Sequence, residues 1–163
     1  MLDLRGLFEK TGERILLDQK LELTDLELSP SQAFCSPISV KGEICNRAGI
    51  VIIDAAAAFD FSAACDRCAA AVNRAFVIPI KHVLVTSLSN EDDGSYFLVE
   101  KMELDLEDLI RSDILLSFPT KLLCRDDCRG LCPICGKNRN EGDCGCQGSE
   151  TDPRLSALKE LLD

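Results

Sequence analysis

Residues 124–146 read CRDDCRGLCPICGKNRNEGDCGC, and six of the ten cysteines of the chain lie in this stretch. So many thiols at such short spacings are typical of a site for a soft metal ion, because deprotonated cysteine is a preferred ligand of Zn²⁺. An upstream pair in the run CDRC at 65–68 brings the candidate ligands to eight. The eight candidates are Cys65, Cys68, Cys124, Cys128, Cys132, Cys135, Cys144 and Cys146.

The run CPICG at 132–136 is the strongest single motif. Pro133 presets one turn dihedral, and Gly136 lets the backbone amides curl toward the second sulfur. The run CGC at 144–146 supplies two more thiols shortly afterwards. Structural zinc takes four ligands in tetrahedral geometry. The sequence therefore predicts one compact zinc site formed by Cys132, Cys135, Cys144 and Cys146.

The remaining candidates form a second set of four, which is Cys65, Cys68, Cys124 and Cys128. A zinc ion held by this set would pin the cysteine-rich segment to a distant part of the chain. The alternative is a single zinc bound by four of the six C-terminal cysteines, with the other thiols free. Two sites of four thiolates would concentrate negative charge, so Arg67, Arg125 and Arg129 are expected to lie nearby and neutralise it.

Three catalytic interpretations compete with structural zinc. The spacing of Cys128, Cys132 and Cys135 matches a radical S-adenosylmethionine cluster motif, but that motif normally opens a much longer α/β barrel. The CDRC run resembles a redox CxxC pair, although no strand–helix alternation surrounds it. A catalytic zinc needs an open coordination position and a nearby base. His82 is the only histidine, and it is expected to be a surface or core residue on an apolar strand.

Length and composition favour a cytoplasmic protein of one domain, or one domain with a small appendage, in 163 residues. The first residues mix charges of both signs and do not resemble a secretory signal. No apolar run approaches the roughly 20 residues of a membrane span, so no membrane association is expected. In a reducing compartment clustered cysteines are more often metal ligands than disulfides.

The net charge of −10 argues against broad electrostatic capture of nucleic acid. The cysteine-rich segment differs, since it has a slight excess of cations. Its candidate contacts with RNA or a protein partner are Arg125, Arg129, Lys137 and Arg139. The acidic stretch 91–113 is expected to be a solvated face, with a docking surface for a basic partner such as a ribosomal protein as the functional alternative.

The apolar patterns predict an α+β fold. Segments 38–45, 50–61 and 74–87 are expected to form an antiparallel meander or partly closed sheet, with the Cys65–Cys68 pair in or near its second connection. Pro79 indicates an edge or a bulge. Alternation at 2–4 and 21–23 indicates strands, and 96–99 predicts a short one. Cys35, Cys45, Phe76, Phe97 and Phe118 are expected in the core.

Helix signals are clearest at 105–116, where apolar residues recur at helical spacing and acidic residues fill the first turn. Pro119 is expected to end this helix. A short C-terminal helix is predicted over 152–162, with Asp152 as its N-cap and Pro153 at its first position. We therefore expect an α+β core domain at 1–120, with the zinc-knuckle segment and C-terminal helix of 121–163 packed on it.

Several motifs together resemble one known family. They are CDRC at 65–68, ELDLEDLIRSDILLSFPTKLLC at 103–124, DCRGLCPICGKNRN at 127–140, CGC at 144–146 and DPRLSALKELL at 152–162. Their order and content are similar to the YceD-like family, the large ribosomal RNA subunit accumulation proteins of bacteria and plastids. The departures are modest: Arg139 stands where leucine is usual, and Ser112 and Asp113 replace a usual pair of glutamates.

The resemblance implies a non-enzymatic cytoplasmic protein that is needed for normal levels of large-subunit (23S) ribosomal RNA. Its implied partners are a large-subunit rRNA precursor or a ribosomal protein, with no small-molecule substrate. A zinc-stapled adaptor, in which zinc pins the cysteine-rich segment, fits both the motifs and the resemblance. The alternative class is a redox sensor, in which oxidation of the thiols releases zinc.

Overall fold

A computed structural model describes residues 1–23, 33–87 and 96–146. The described chain forms two compact units. The first contains the described residues of Met1–Ala63 and Asn73–Thr120, and the second contains Ala64–Val72 with the described residues from Lys121 onward. The second unit thus joins two segments that are distant in sequence, and all eight candidate metal ligands lie in it.

The first unit contains a sheet of mostly antiparallel strands and few helices, which confirms the α+β class. The strands are β1 (Leu2–Asp3), β2 (Arg14–Leu21), β3 (Ala33–Phe34), β4 (Ile38–Arg47), β5 (Ile50–Ala64), β6 (Ala71–Val85), β7 (Tyr96–Leu98) and β8 (Glu103–Leu104). The helices are α1 (Arg5–Glu9), a short 3-10 helix (Glu100–Met102) and α2 (Leu106–Ser117). None of the helices in the described ranges combines the length and the apolar character of a membrane span.

The main sheet has the order β2-β4-β5-β6-β7, with β3 paired to β5, and β1 pairs with β8 separately. β4, β5 and β6 form the predicted meander. Ala48 and Gly49 close the β4–β5 hairpin with φ of 54° and 89°, the left-handed conformation that two-residue hairpin turns favour. The connection from β5 to β6 spans only 65–70, too short for a parallel crossover. The Cys65–Cys68 pair lies in this connection, as predicted.

The core of the first unit combines alternating apolar side chains with an aromatic cluster. Along β5, every second residue from Val51 to Ala63 is buried. Ring centroids in the aromatic cluster stand between 4.8 and 6.3 Å apart. Its members are Phe34, Phe59, Phe61, Phe76 and Phe118. Only Phe59 and Phe61 of the cluster are buried. Phe76 and Phe118, and also Phe97 on β7, were expected in the core but are half-buried.

Helix α2 spans Leu106–Ser117, within one residue of the predicted 105–116 at each end. The carboxylate of Asp105 accepts hydrogen bonds from the backbone N–H groups of Glu107 and Asp108 and so caps the first turn. Phe118 leaves the helix with φ −69° and ψ 135°, because a residue before proline disfavours the helical region.

Asp113 departs from the expected solvated acidic face. It is only 9% exposed, since it lies on the same helical face as the buried Leu109 and Ile110. Its carboxylate oxygens stand 3.0 and 2.8 Å from Nε2 of His82 on β6, whose ring also packs on Phe97 at 5.9 Å. The histidine thus supplies the partner that a buried carboxylate requires.

Several other expectations need correction or fall outside the structure. The second strand spans Arg14–Leu21 and ends where the predicted alternation at 21–23 begins. Cys35 is exposed, whereas Cys45 is buried as expected. β7 pairs in parallel with β6 at Val83–Val85 only. Pro79 lies outside this paired stretch, so the side of β6 that faces away from β5 has no described partner strand at Pro79. The predicted C-terminal helix lies outside the described residues.

Candidate metal centres

The first pair of candidate ligands lies in the tight turn between β5 and β6. The N–H of Cys65 donates to the carbonyl of Ala70 at 2.8 Å, and the N–H of Ala69 donates to the carbonyl of Cys65 at 2.9 Å. Ala69 closes the turn in the left-handed region, with φ of 56°. Cys65 and Cys68 are both buried.

Hydrogen bonds fasten the start of the cysteine-rich segment to this turn. The carboxylate of Asp66 accepts from the N–H of Leu122, and the N–H of Asp66 donates to the carbonyl of Leu122 at 3.0 Å. The guanidinium of Arg67 donates to the carbonyl of Cys128 at 2.9 Å. The carbonyl of Arg67 accepts from the N–H of Leu131 at 3.0 Å. Two remote segments are thereby held side by side.

The first cluster consists of Cys65, Cys68, Cys124 and Cys128, whose sulfur atoms all lie within 4.8 Å of one another. Sγ of Cys65 stands 3.8 Å from Sγ of Cys128, and Sγ of Cys68 stands 3.6 Å from Sγ of Cys124. Sulfurs bound tetrahedrally at the usual zinc–sulfur distance of about 2.3 Å would be about 3.8 Å apart. The spacing of the four thiols therefore fits a single tetrahedral metal ion.

The second cluster consists of Cys132, Cys135, Cys144 and Cys146, again with all sulfurs within 4.8 Å of one another. The knuckle closes when the N–H of Gly136 donates to the carbonyl of Cys132 at 2.9 Å. The N–H of Cys132 donates in turn to the carbonyl of Lys137 at 2.8 Å. Cys132 is buried, but Cys135 and Cys146 are exposed. A cavity of about 330 Å³ is lined by Cys132, Cys144 and Cys146 among other residues.

The thiols of the first cluster differ in their tendency to ionise. Burial opposes the ionisation of Cys65, but the backbone N–H groups of Arg67, Cys124 and Cys68 outweigh it and lower the pKa of Cys65 to about 6. Burial and the neighbouring thiols raise the pKa of Cys124 to about 12. Negative charges this close repel one another, so a cation among the four sulfurs would stabilise the fully deprotonated set.

The second cluster shows the same division. The backbone N–H groups of Cys135 and Ile134 lower the pKa of Cys132 to about 6. The adjacent thiols of Cys135 and Cys144 raise the pKa of Cys146 to about 12. In both clusters, therefore, backbone N–H groups lower the pKa of one thiol, while the crowding of sulfurs raises the pKa of another.

The structure brings the eight candidate ligands together in the two groups of four expected from the sequence. Cys124 and Cys128 join the Cys65–Cys68 pair, unlike the alternative in which four C-terminal cysteines share one ion. All ten cysteines lie in the described residues, and none forms a disulfide. Each group can hold one metal ion, and its all-sulfur donor set suits a soft or borderline metal.

Three of the four candidate cations on the cysteine-rich segment contact acidic or carbonyl oxygens. Arg125 pairs with Asp127 at 3.4 Å, Arg129 pairs with Asp143 at 3.8 Å, and Lys137 donates to the carbonyl of Asp143 at 3.4 Å. A fourth, Arg139, makes no ion pair within the described part of the chain.

Sequence reasoning missed the role of Asn140. Its side-chain amide donates to Sγ of Cys128 at 3.3 Å and lowers the pKa of that thiol. The available signal was a run of polar residues between the knuckle and the CGC pair that includes Asn138 and Asn140. That signal does not reveal that the amide reaches the other cluster, because the contact exists only in the folded chain.

Residues 53–162 match the family described as the large ribosomal RNA subunit accumulation protein YceD. The chain belongs to the YceD family. The matched range contains all eight clustered cysteines, so both clusters lie within the YceD region of the chain.

The chain is also similar to individual proteins of a bacterium and of a plant. The uncharacterized protein YlbN of Bacillus subtilis is 26% identical over 148 residues, which cover 89% of this chain and 86% of YlbN. The large ribosomal RNA subunit accumulation protein YCED homolog 1, chloroplastic, of Arabidopsis thaliana is 31% identical over 70 residues, covering 43% of this chain and 22% of that protein. No solved structure matches the chain significantly.

Proposed function

We propose that this YceD-family chain is a non-enzymatic ribosome-biogenesis factor of the cytoplasm that supports the accumulation of large-subunit (23S) rRNA. The observation that carries the proposal is the family match over residues 53–162. The family description and the name of the Arabidopsis relative both refer to accumulation of the large ribosomal RNA subunit. The partner would be a large-subunit rRNA precursor or a ribosomal protein.

The proposed metal is Zn²⁺, with one ion in each cluster. Four cysteine ligands complete the tetrahedral coordination of a structural zinc and leave no position for a substrate. When bound, zinc supplies attraction between four thiolates that otherwise repel. The eight cysteines would thereby lock the turn at 65–70, the segment after Lys121 and the knuckle into one rigid adaptor.

The candidate contact surface lies on the cysteine-rich segment. Arg125, Arg129, Lys137 and Arg139 are exposed there, and Arg139 has no ion-pair partner among the described residues. Exposed Leu131 and Ile134 lie on the same segment. This mixture of cations and apolar side chains suits a small contact with RNA or a ribosomal protein better than broad capture of nucleic acid.

The cellular test is depletion of the protein followed by complementation. Depleted cells should contain less 23S than 16S rRNA, and the wild-type protein should restore the ratio and sediment with large-subunit precursors. A normal rRNA ratio in depleted cells, with no sedimentation of the protein with those precursors, would contradict the proposal.

The metal is tested by elemental analysis of the purified chain. We expect two zinc ions per chain, falling to one in Cys65→Ser and to one in Cys132→Ser at saturating zinc. A single zinc that is insensitive to Cys65→Ser would contradict the assignment of two sites.

A redox sensor is the second candidate, favoured by the exposure of Cys135 and Cys146. It predicts that mild peroxide at physiological glutathione releases zinc reversibly. A structural adaptor retains its zinc under the same conditions.

A further inference from the structure

The side chain of Asn140 connects the two clusters. Asn140 lies in the loop between Cys135 and Cys144, which are ligand candidates of the second cluster. Its Nδ2 group nevertheless donates a hydrogen bond of 3.3 Å to Sγ of Cys128 in the first cluster. One residue thus belongs to the loop of one site and contacts a thiol of the other.

The orientation of this amide is fixed on both sides. Nδ2 also donates to Oδ1 of Asn138 at 2.9 Å. Oδ1 accepts from the N–H of Arg129 and from the guanidinium of Arg125, each at 2.8 Å. A primary amide has two N–H donors and two acceptor lone pairs, so all four positions are used. A flipped amide would turn Nδ2 toward two donors and Oδ1 toward the sulfur.

The loop that carries Asn140 is in turn held by the second cluster. Its two ends lead to Cys135 and Cys144, so closure of that cluster restrains both ends. The N–H of Arg139 donates to the carbonyl of Gly130 at 2.9 Å, and Leu131 forms a β-bridge with Asn138. Closure of the second cluster therefore favours the loop conformation in which the amide of Asn140 meets Cys128.

We propose that Asn140 is a positioning residue through which metal binding at the second cluster raises the metal affinity of the first. This inference rests on the proposed function, in which both clusters hold a metal ion. An N–H group that donates to a coordinating thiolate orients the ligand and disperses its charge. An amide on an already ordered loop makes that bond with a smaller loss of conformational entropy. By linkage, the first cluster raises the affinity of the second to the same extent.

The test is a titration of the full metal-free chain with Co²⁺, whose sulfur-to-metal charge-transfer absorption reports thiolate binding, against a competing chelator. The first-cluster affinity is compared between the wild-type chain and a Cys132→Ser/Cys135→Ser chain that lacks the second site. We expect it to fall about 10- to 100-fold, the usual effect of losing a hydrogen bond to a metal ligand. In an Asn140→Ala background the same double substitution should cause little further loss.

Two further variants separate the contacts of the amide. Asn140→Asp has the same shape and keeps an acceptor for Arg125 and Arg129, but it loses the donor to Cys128, so its first-cluster affinity should fall. It also serves as the test variant where Asn140→Ala does not fold. Glu141→Ala is the matched control, because the carboxylate of Glu141 accepts from Asn138 and contacts no thiol in the described structure. Its affinities should equal those of the wild-type chain.

The possible results have distinct consequences. If the chain binds two Co²⁺ ions and the first-cluster affinity does not depend on the second site, the coupling is wrong while the two metal sites stand. If the coupling persists in both Asn140 variants, another route carries it and Asn140 is not the positioning residue. If the wild-type chain binds no metal, the coupling fails together with the metal sites of the proposed function.

Discussion

The two clusters share one donor chemistry but are assembled in opposite ways. The first joins residues that are 56 and 63 positions apart in the chain, and three of its four cysteines are buried. The second is contained within residues 132–146, and only Cys132 of its four cysteines is buried. Closing a long loop costs more chain entropy than closing a short one. Formation of the first cluster must therefore offset a larger loss of chain entropy, because it joins two segments that are distant in sequence.

The largest expected effect is the loss of the first cluster. Cys65→Ser should unfold residues 64–72 and 121–131, because these two segments have little apolar core and structural zinc contributes on the order of 10 kcal/mol in small zinc domains. Residues 132–146 should keep the zinc of the second cluster, which closes without the other segment. Cys146→Ser should leave the hydrogen bonds between the two segments intact. Amide hydrogen exchange at Leu122 and Leu131, measured together with zinc content, distinguishes the two variants.

Cys45→Ala is the matched control for this comparison. It removes a buried thiol of β4 that belongs to neither cluster, so zinc content and exchange in the second unit should not change. Equal loss of protection from amide hydrogen exchange in Cys65→Ser and Cys146→Ser would show that the two clusters stabilise the second unit equally.

The two clusters also differ in how much of their geometry the sequence predicts. The second cluster could be predicted almost completely, because CPICG and CGC are local motifs whose turn geometry depends on Pro133 and Gly136. The members of the first cluster could be predicted only as the four candidate cysteines that remained, because structural zinc takes four ligands. Its fastening by Asp66 and its contact with Asn140 could not be predicted, since both depend on which remote segments meet.

The same distinction applies to the fold. The meander of β4, β5 and β6 and the capped helix α2 could be predicted, because local periodicity, turn residues and capping residues mark them. β2 was placed incorrectly because its pattern is irregular, with Leu16 74% exposed and its place set by pairing with β4. The parallel pairing of β7 and the burial of Asp113 against His82 also depend on long-range contacts that local patterns do not contain.

The next largest effect is expected at Asp66, which fastens only the first cluster. Asp66→Ala removes the carboxylate that accepts from the N–H of Leu122. A hydrogen bond to a charged group contributes about 1.5–3 kcal/mol. The free energy of unfolding of the zinc-loaded second unit, measured with denaturant, should therefore fall by about that amount. Asp143→Ala, near the second cluster, removes only an exposed ion pair with Arg129 and should shift it much less. Equal shifts would contradict the special role of the Asp66 contact.

Two glycines sharpen the comparison at a smaller scale. Gly130 and Gly136 both have φ of +72°, but a Cβ at Gly130 would lie 3.0 Å from the carbonyl oxygen of Arg67, whereas one at Gly136 would meet nothing within 4 Å. Both alanine variants should lose about 1–2 kcal/mol for the left-handed backbone. Gly130→Ala should lose roughly 1–3 kcal/mol more from crowding. Thermal unfolding of the zinc-loaded variants measures the difference, and equal losses would show that the chain relaxes around Arg67.

The smallest effect on stability is expected from substitution of the exposed cations of the cysteine-rich segment. These substitutions should affect binding to a partner more than the free energy of unfolding. The Arg129–Asp143 pair has side chains that are 65% and 84% exposed, so Arg129→Gln should cost about 0–1 kcal/mol. Arg139→Gln should cost nothing measurable, since Arg139 forms no ion pair in the described structure. If Arg139 contacts a phosphate of single-stranded rRNA, its removal should reduce the salt-dependence slope of binding by about 0.7. Lys41→Gln, an exposed cation of the first unit, controls for net charge. An unchanged slope in Arg139→Gln would move the contact surface away from this cation and favour recognition of a ribosomal protein.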